Sequence, residues 1–364
     1  MRPLRLLATI CALVPARAAL YAPDDPSLYY SPFAWHVNAS SAATINSAAY
    51  VRFLFSGNAL TFTFDVANMA TPASQVYWSV DSGPATLSLV MERVAVAAPA
   101  NNSNLPFHSV ELFVKSTTEA QNRWAAAGAP NSTRVVLTGV ETEDGGALAA
   151  WLPADVNVLV YGDSITEGVL TLGNSQPHDT NHNDASIVYA HTLGALLGAE
   201  VGVVGFGSNA LTHYGSGGVP PLGEAWDLLW EGAPRDFAHP RPDLIVLNEG
   251  TNDGCDTTSP GCNGTDISAL MASVLRNLTI KCPGVPVAVL QPFNGAQKAH
   301  LQAAVAATGS PDVHFVETEG FYNMSYGGNL HPTGPNEKGR IAPQIAARLR
   351  PLLYQSVLRR WQAP

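Results

Sequence analysis

Val156-Asn157-Val158-Leu159-Val160-Tyr161-Gly162-Asp163-Ser164-Ile165-Thr166-Glu167-Gly168 runs from an apolar strand, through a glycine-bounded turn, into the start of a helix. This order predicts that Ser164 stands at the carboxyl end of a sheet, its hydroxyl near a helix N-terminus. Ser164 is therefore a candidate nucleophile. The simpler role for Asp163 or Ser164 is to cap the helix, so the assignment needs support from elsewhere in the chain.

Three later segments supply it. Leu244 to Asp253 is another apolar strand that stops at a small polar turn, where Asn252 offers a side-chain N–H to a developing oxyanion. Val201 to Asn209 ends a further strand, and Gly207 there offers an unhindered backbone N–H. Near the C-terminus, His331 in Asn329-Leu330-His331-Pro332-Thr333 offers an imidazole to take the serine proton. Apolar strands around Val156, Val201, Leu244, Val287 and Val313 alternate with helical patterns at Ile187 to Leu197, Ile267 to Leu278, Ala296 to Ala307 and Arg340 to Trp361. Right-handed crossovers then gather Ser164, Gly207 and Asn252 at one sheet edge. Pro351 is expected to kink or divide the last helix.

These four blocks resemble the SGNH (GDSL) hydrolase superfamily in order, strand-end context and residue type. The resemblance implies that Ser164 is the nucleophile and His331 the general base and acid. It also implies an oxyanion hole built from the backbone N–H groups of Ser164 and Gly207 with Asn252 Nδ2. One position departs from the family, which places an aspartate three residues before the histidine; here it is Gly328. A backbone carbonyl can orient the imidazole instead, and some SGNH carbohydrate esterases work with a Ser-His dyad. Asp163, Glu317, Glu319 and Asn329 are the side-chain candidates for orienting or supporting it, with Asn323 a further neighbour.

From Tyr50 to about Glu143 the chain alternates apolar and polar residues in short runs: Tyr50 to Phe55, Leu60 to Asp65, Val76 to Val80, His108 to Val114 and Arg134 to Val140. Such runs separated by glycine turns predict an antiparallel sandwich. A sandwich followed by an SGNH domain resembles carbohydrate esterase family two, whose members remove acetyl groups from plant-type polysaccharides. The expected fold class is α/β: a three-layer SGNH-type parallel sheet domain over 151–364, preceded by an all-β jelly-roll-like sandwich over 19–150.

Residues 1–18 carry Arg2 and Arg5, an apolar run from Leu6 to Val14 and then Ala16-Arg17-Ala18, the pattern of a signal peptide rather than a membrane span. The expected location is secreted. Six Asn-X-Ser/Thr sites, at Asn38, Asn101, Asn131, Asn263, Asn277 and Asn323, fit a secretory route. Loss of three arginines with the leader takes the formal charge from −10 to −13, which disfavours nucleic acid and anionic membranes as partners and leaves neutral acetylated glycans acceptable. Of the remaining cysteines, Cys255 and Cys262 flank a turn-rich loop and make the best disulfide pair, leaving Cys282 as an odd thiol. No zinc spacing exists among them, and no cofactor is expected.

His178 and His182 lie in the polar segment Pro177 to Asp184, read as a solvated rim of the site rather than a metal site. Trp226 and Trp230, four apart, read as one packed helix face, with a lesser possibility of a sugar platform. The preferred activity is a serine esterase acting on an acetylated carbohydrate. Its rivals are an esterase or lipase of lipid or small acyl esters and a catalytically decayed glycan-binding protein.

Overall fold

The computed structural model describes residues 18–100, 105–119, 121–173, 179–253, 264–323 and 330–362. Among the described residues the first half holds twelve strands: β1 (Leu20–Tyr21), β2 (Tyr29–Tyr30), β3 (His36–Val37), β4 (Ala42–Thr44), β5 (Tyr50–Phe55), β6 (Ala59–Phe64), β7 (Gln75–Val80), β8 (Thr86–Leu89), β9 (Arg93–Ala97), β10 (His108–Ser116), β11 (Val135–Thr142) and β12 (Leu148–Ala149). They form two antiparallel sheets. One runs β3-β4-β11-β6-β9 with β1 beside β11, and the other β12-β5-β10-β7-β8 with β2 beside β5. The period of two turns Leu60, Phe62 and Phe64 inward from β6, where they meet Val51, Phe53, Phe55, Val110 and Leu112 of the facing sheet.

The second half is a five-stranded parallel sheet flanked by helices. Its elements are β13 (Asn157–Gly162), α1 (Ser164–Glu167), α2 (Tyr189–Leu197), β14 (Glu200–Gly205), α3 (Leu222–Ala225), the small hairpin β15 (Leu228–Trp230) and β16 (Ala233–Pro234), β17 (Leu244–Asn248), α4 (Gly264–Lys281), β18 (Val287–Leu290), α5 (Lys298–Thr308), β19 (Val313–Val316), α6 (Gly334–Asn336) and α7 (Ala342–Gln362). The sheet order is β14-β13-β17-β18-β19. Every residue of β13 is buried, because successive side chains enter two different cores. Leu159 and Tyr161 face the layer of α4 and α5, while Val158 and Val160 face that of α2 and α7. In this strand order the connections reverse direction next to β13, the place where open α/β sheets bind ligands.

Gly162 pairs with Gly205 on one side and Asn248 on the other, so β13, β14 and β17 end level. Ser164, Gly207 and Asn252 follow those ends within two to four residues. The two halves are joined by buried polar contacts. Tyr50 Oη and Arg52 Nη1 both donate to Glu200 Oε2, and Lys115 Nζ donates to the carbonyls of Thr180 (2.6 Å) and Asn183 (2.7 Å) and to Gln75 Oε1 (2.8 Å).

Two helices differ from expectation. Helix α5 starts at Lys298 because Gln297 adopts a left-handed φ of 55°. Helix α7 runs unbroken through Pro351, which lies exposed, so the carbonyl freed by its missing N–H faces water.

Candidate active site

Ser164 opens α1, so its backbone N–H has no partner within the helix. Asp163 caps the helix, its Oδ1 accepting the Ile165 N–H at 2.9 Å. Gly162 is required before it, since a Cβ there would collide with the Thr166 side chain. Burial pushes the Asp163 carboxyl up to about 6, against the Ile165 N–H and the Thr251 hydroxyl, which favour its anion. Asp163 therefore builds the turn that carries the serine, and its hydrogen bonds run to α1.

His331 comes back to this edge from the far end of the chain. Its Nε2 lies 2.9 Å from Ser164 Oγ, with the two residues only 9% and 6% exposed. At that separation the hydroxyl can donate to the imidazole, the contact a general base needs. Asn252 Nδ2 donates to Asn209 O at 2.9 Å, which fixes the amide across the β14 and β17 loops. An amide carries two N–H groups, so the second is free to serve an oxyanion. Buried Asp253 ties the same loops by accepting from the backbone N–H groups of Leu211 and Thr212 and from the Thr212 hydroxyl.

Gly207 sits where expected, but its N–H does not point to open space. It donates to Glu167 Oε2 at 2.6 Å. Glu167 lies on α1 with Ser164 and is held in turn by Arg123, whose Nη2 and Nη1 reach its two oxygens at 2.8 and 3.1 Å. Arg123 belongs to the loop between β10 and β11 and is fully buried. Glu119, from the same loop, accepts from Asn183 Nδ2 at 2.9 Å, and its Oε2 fills the space a side chain at Gly207 would need. The antiparallel half thus reaches under α1. No sequence signal pointed to Arg123 or Glu119; Asn183 was visible only within the polar segment Pro177 to Asp184, and Glu167 only as part of the Ser164 motif.

Burial and the charge of Glu167 push the Glu119 carboxyl up to about 7 from 4.5, opposed by the Asn183 amide and Arg123. The folded state then holds a proton that the unfolded chain loses, so this group's contribution falls as pH rises from about 4.5 to about 7. Glu119→Gln should remove that slope: urea unfolding at pH 5 and 8 should show the variant gaining on the parent at the higher pH. Parallel stability curves would refute the assignment.

Glu317 and Glu319 are both exposed and pair with Lys298, the second at 3.0 Å. Neither carboxylate hydrogen-bonds to His331, so Glu317→Gln and Glu319→Gln should each change kcat by less than about tenfold, against the about 10⁴ that loss of an orienting carboxylate can cost. A collapse in either would identify it as a displaced triad acid. Asn329, Gly328, His178, Cys255 and Cys262 lie outside the described residues.

The described part of the polar segment, Asp179 to Asp184, differs from a solvated rim. His182 pairs with Asp179 at its surface, but Thr180, Asn183 and Asp184 are buried against the sandwich. Trp226 and Trp230 share no helix: Trp226 caps α3 against Phe237, and Trp230 is buried in β15 under the Arg134 guanidinium. Neither ring is an open platform. Among the described residues no group of three or more His, Cys, Asp or Glu could hold a metal ion.

Ser164, Gly207, Asn252 and His331 all lie within one stretch for which a family model gives a match. Residues 160–335 match the GDSL-like Lipase/Acylhydrolase family. The sequence matches none of the curated proteins. The fold around the GDSL-like segment is similar to that of a family two carbohydrate esterase from Cellvibrio japonicus, at 21% identity and a TM-score of 0.74, covering 93% of this chain and 99% of that one. It is also similar to a family two carbohydrate esterase from Clostridium thermocellum in complex with cellohexaose (18%, 0.73, 90% and 99%). An acetyl xylan esterase from the rumen bacterium Butyrivibrio proteoclasticus matches over the same extent (15%, 0.74, 93% and 99%). Likeness across 90–93% of this chain includes the antiparallel half, so the GDSL-like segment and the sheets before it share this arrangement with all three.

Proposed function

We propose that the protein is a secreted serine esterase that removes acetyl groups from a carbohydrate through an acyl-enzyme. The observation that carries this reading is the 2.9 Å approach of His331 Nε2 to Ser164 Oγ at the carboxyl edge of the parallel sheet, with the Asn252 amide on the adjoining loop. Ser164 Oγ attacks the ester carbonyl as its proton passes to His331 Nε2, and the tetrahedral oxyanion is met by Ser164 N–H and Asn252 Nδ2. His331 then protonates the departing sugar hydroxyl. Water, deprotonated by the same imidazole, attacks the acyl-serine and releases acetate. A backbone carbonyl orients His331, making Ser164 and His331 a dyad. Gly207 N–H joins the oxyanion donors only if Glu167 releases it, so the resting hole has two donors rather than three.

A carbohydrate ester is favoured by the fold shared with three carbohydrate esterases and by the acidic net charge, which disfavours only strongly acidic chains. The test is one preparation assayed on acetylated oligosaccharides and on acyl esters of increasing length. Activity rising with acyl length would overturn the reading in favour of a lipase. Absence of a fluorophosphonate adduct on Ser164 in folded protein would favour a glycan-binding protein.

Secretion belongs to the same proposal, with 1–18 as the leader, 19–150 as a jelly-roll-like sandwich domain and 151–364 as the hydrolase domain. It is supported by the exposure of the described sequon asparagines Asn38, Asn131, Asn277 and Asn323. No helix among the described residues is long and apolar enough to cross a membrane. Cys282 is buried, its thiol pushed up to about 11, which leaves Cys255 and Cys262 to pair. Mass mapping of unreduced protein should find that link, and a peptide joining either to Cys282 would refute it.

A further inference from the structure

A cavity of 660 Å³ opens in the seam between the two halves. That volume lies within the about 300–1,000 Å³ usual for ligand sites. The antiparallel half contributes Asn38, Asp65, Asn68 and Arg134 to its wall, and the parallel half Trp230 and Glu231. Ser164, Gly207, Asn252 and His331 do not line it. It is a separate site.

Its most informative group is Arg134, which is only 6% exposed. The guanidinium lies 4.3 Å from the centre of the Trp230 ring, and Nη2 donates to Ala125 O at 2.6 Å. Nε has no hydrogen-bond partner, and no carboxylate among the described residues pairs with this side chain. Burial lowers its pKa with no neighbouring anion to oppose the effect. Arg52 and Arg123, by contrast, each meet a glutamate. An arginine carries five N–H donors, and a buried cation lacking its counter-charge is costly, so a carboxylate entering the cavity would meet a prepared partner.

The rest of the wall limits what that carboxylate is attached to. Asp65 and Glu231 are exposed and would repel a polyanion, yet their carboxylates can accept hydrogen bonds from a ligand's hydroxyls. Asn38 and Asn68 add amides that donate and accept. A ligand with one carboxylate and otherwise neutral hydroxyls satisfies both the floor and the rim. The geometry points to a binding site for a uronic acid residue within a glycan chain, its carboxylate on Arg134 and its hydroxyls on the polar rim. The site depends on the proposed function only for the carbohydrate nature of the chain, and its test reads binding rather than turnover.

The probe is a trisaccharide carrying one glucuronic acid residue, compared with the same trisaccharide whose carboxyl is reduced to an alcohol. Both are titrated calorimetrically into the Ser164→Ala variant, made without N-glycans because Asn38 opens a sequon at the rim. The acidic form should bind about 30-fold more tightly, the loss typical when one partner of a buried charge pair is removed. Arg134→Gln should erase that preference. Ala127→Trp, which plugs the cavity from an exposed loop position, should abolish binding of both forms while leaving turnover of a short acetyl ester unchanged in the Ser164 protein. Equal affinity for the two ligands, or undiminished binding in Ala127→Trp, overturns the site even if Arg134→Gln does not fold. Discrimination between the ligands in a protein without esterase turnover would leave this site standing and remove the catalytic reading.

Discussion

Ser164→Ala lowers kcat by about 10⁵–10⁶ on a chromogenic acetyl ester, His331→Ala falls nearly as far, and the double variant is no slower than the worse single one. The reason is that the pair acts as one unit. Without the hydroxyl the imidazole has nothing to deprotonate, and without the imidazole Ser164 Oγ stays a weakly nucleophilic alcohol. The 2.9 Å contact predicts this dependence directly. KM should change little, because neither group is needed to hold the ground-state ester. Circular dichroism should match the parent, since both side chains, though buried, lie at the carboxyl edge of the sheet and neither belongs to an apolar core cluster. A Ser164→Ala protein within tenfold of the parent, or penalties that add in the double variant, would sink the nucleophile and base assignments.

Arg123→Leu destabilises the fold by about 3–5 kcal/mol, the usual cost of leaving one partner of a buried ion pair alone. Glu167 would keep its place beside Glu119 with no cation between the two carboxylates. Glu167→Leu strands Arg123 in the same way. The double variant Arg123→Leu/Glu167→Leu should recover most of the loss, because two apolar residues of similar size need no compensating charge. Urea unfolding of the four proteins closes the cycle, and additive penalties would refute a coupled pair. Activity offers a second reading. Glu167 shares a single turn with Ser164 and holds the Gly207 N–H, so both single variants should lose kcat while retaining the labelled serine.

The sequence made the architecture readable because its signals are local. The period-two runs at Tyr50 to Phe55 and Val76 to Val80 lie within β5 and β7, and the apolar strand before Gly162 leads straight into the serine turn. Ser164, Asn252 and His331 each announce themselves by a chemically distinctive residue at a strand or helix end. Arg123 does not, since its partner is 44 residues away in another half of the molecule and a lone arginine in a loop has no pattern to read. The direction of the Gly207 N–H was hidden for the same reason, as it is set by Glu167. Trp226 and Trp230 misled because spacing of four implies one helix only where the chain stays helical, and here it passes through a cap into β15. Polar residues between Pro177 and Asp184 suggested solvent, yet several of their carbonyls are satisfied by a buried lysine.

That lysine, Lys115, together with Arg123, has a consequence for recombining the halves. Replacing this sandwich with one lacking Lys115 and Arg123 would leave the Thr180 and Asn183 carbonyls and the Glu167 carboxylate without the cations that meet them here. Chimaeras that join either half to a foreign partner should therefore fold only when these seam residues are exchanged along with the sheets.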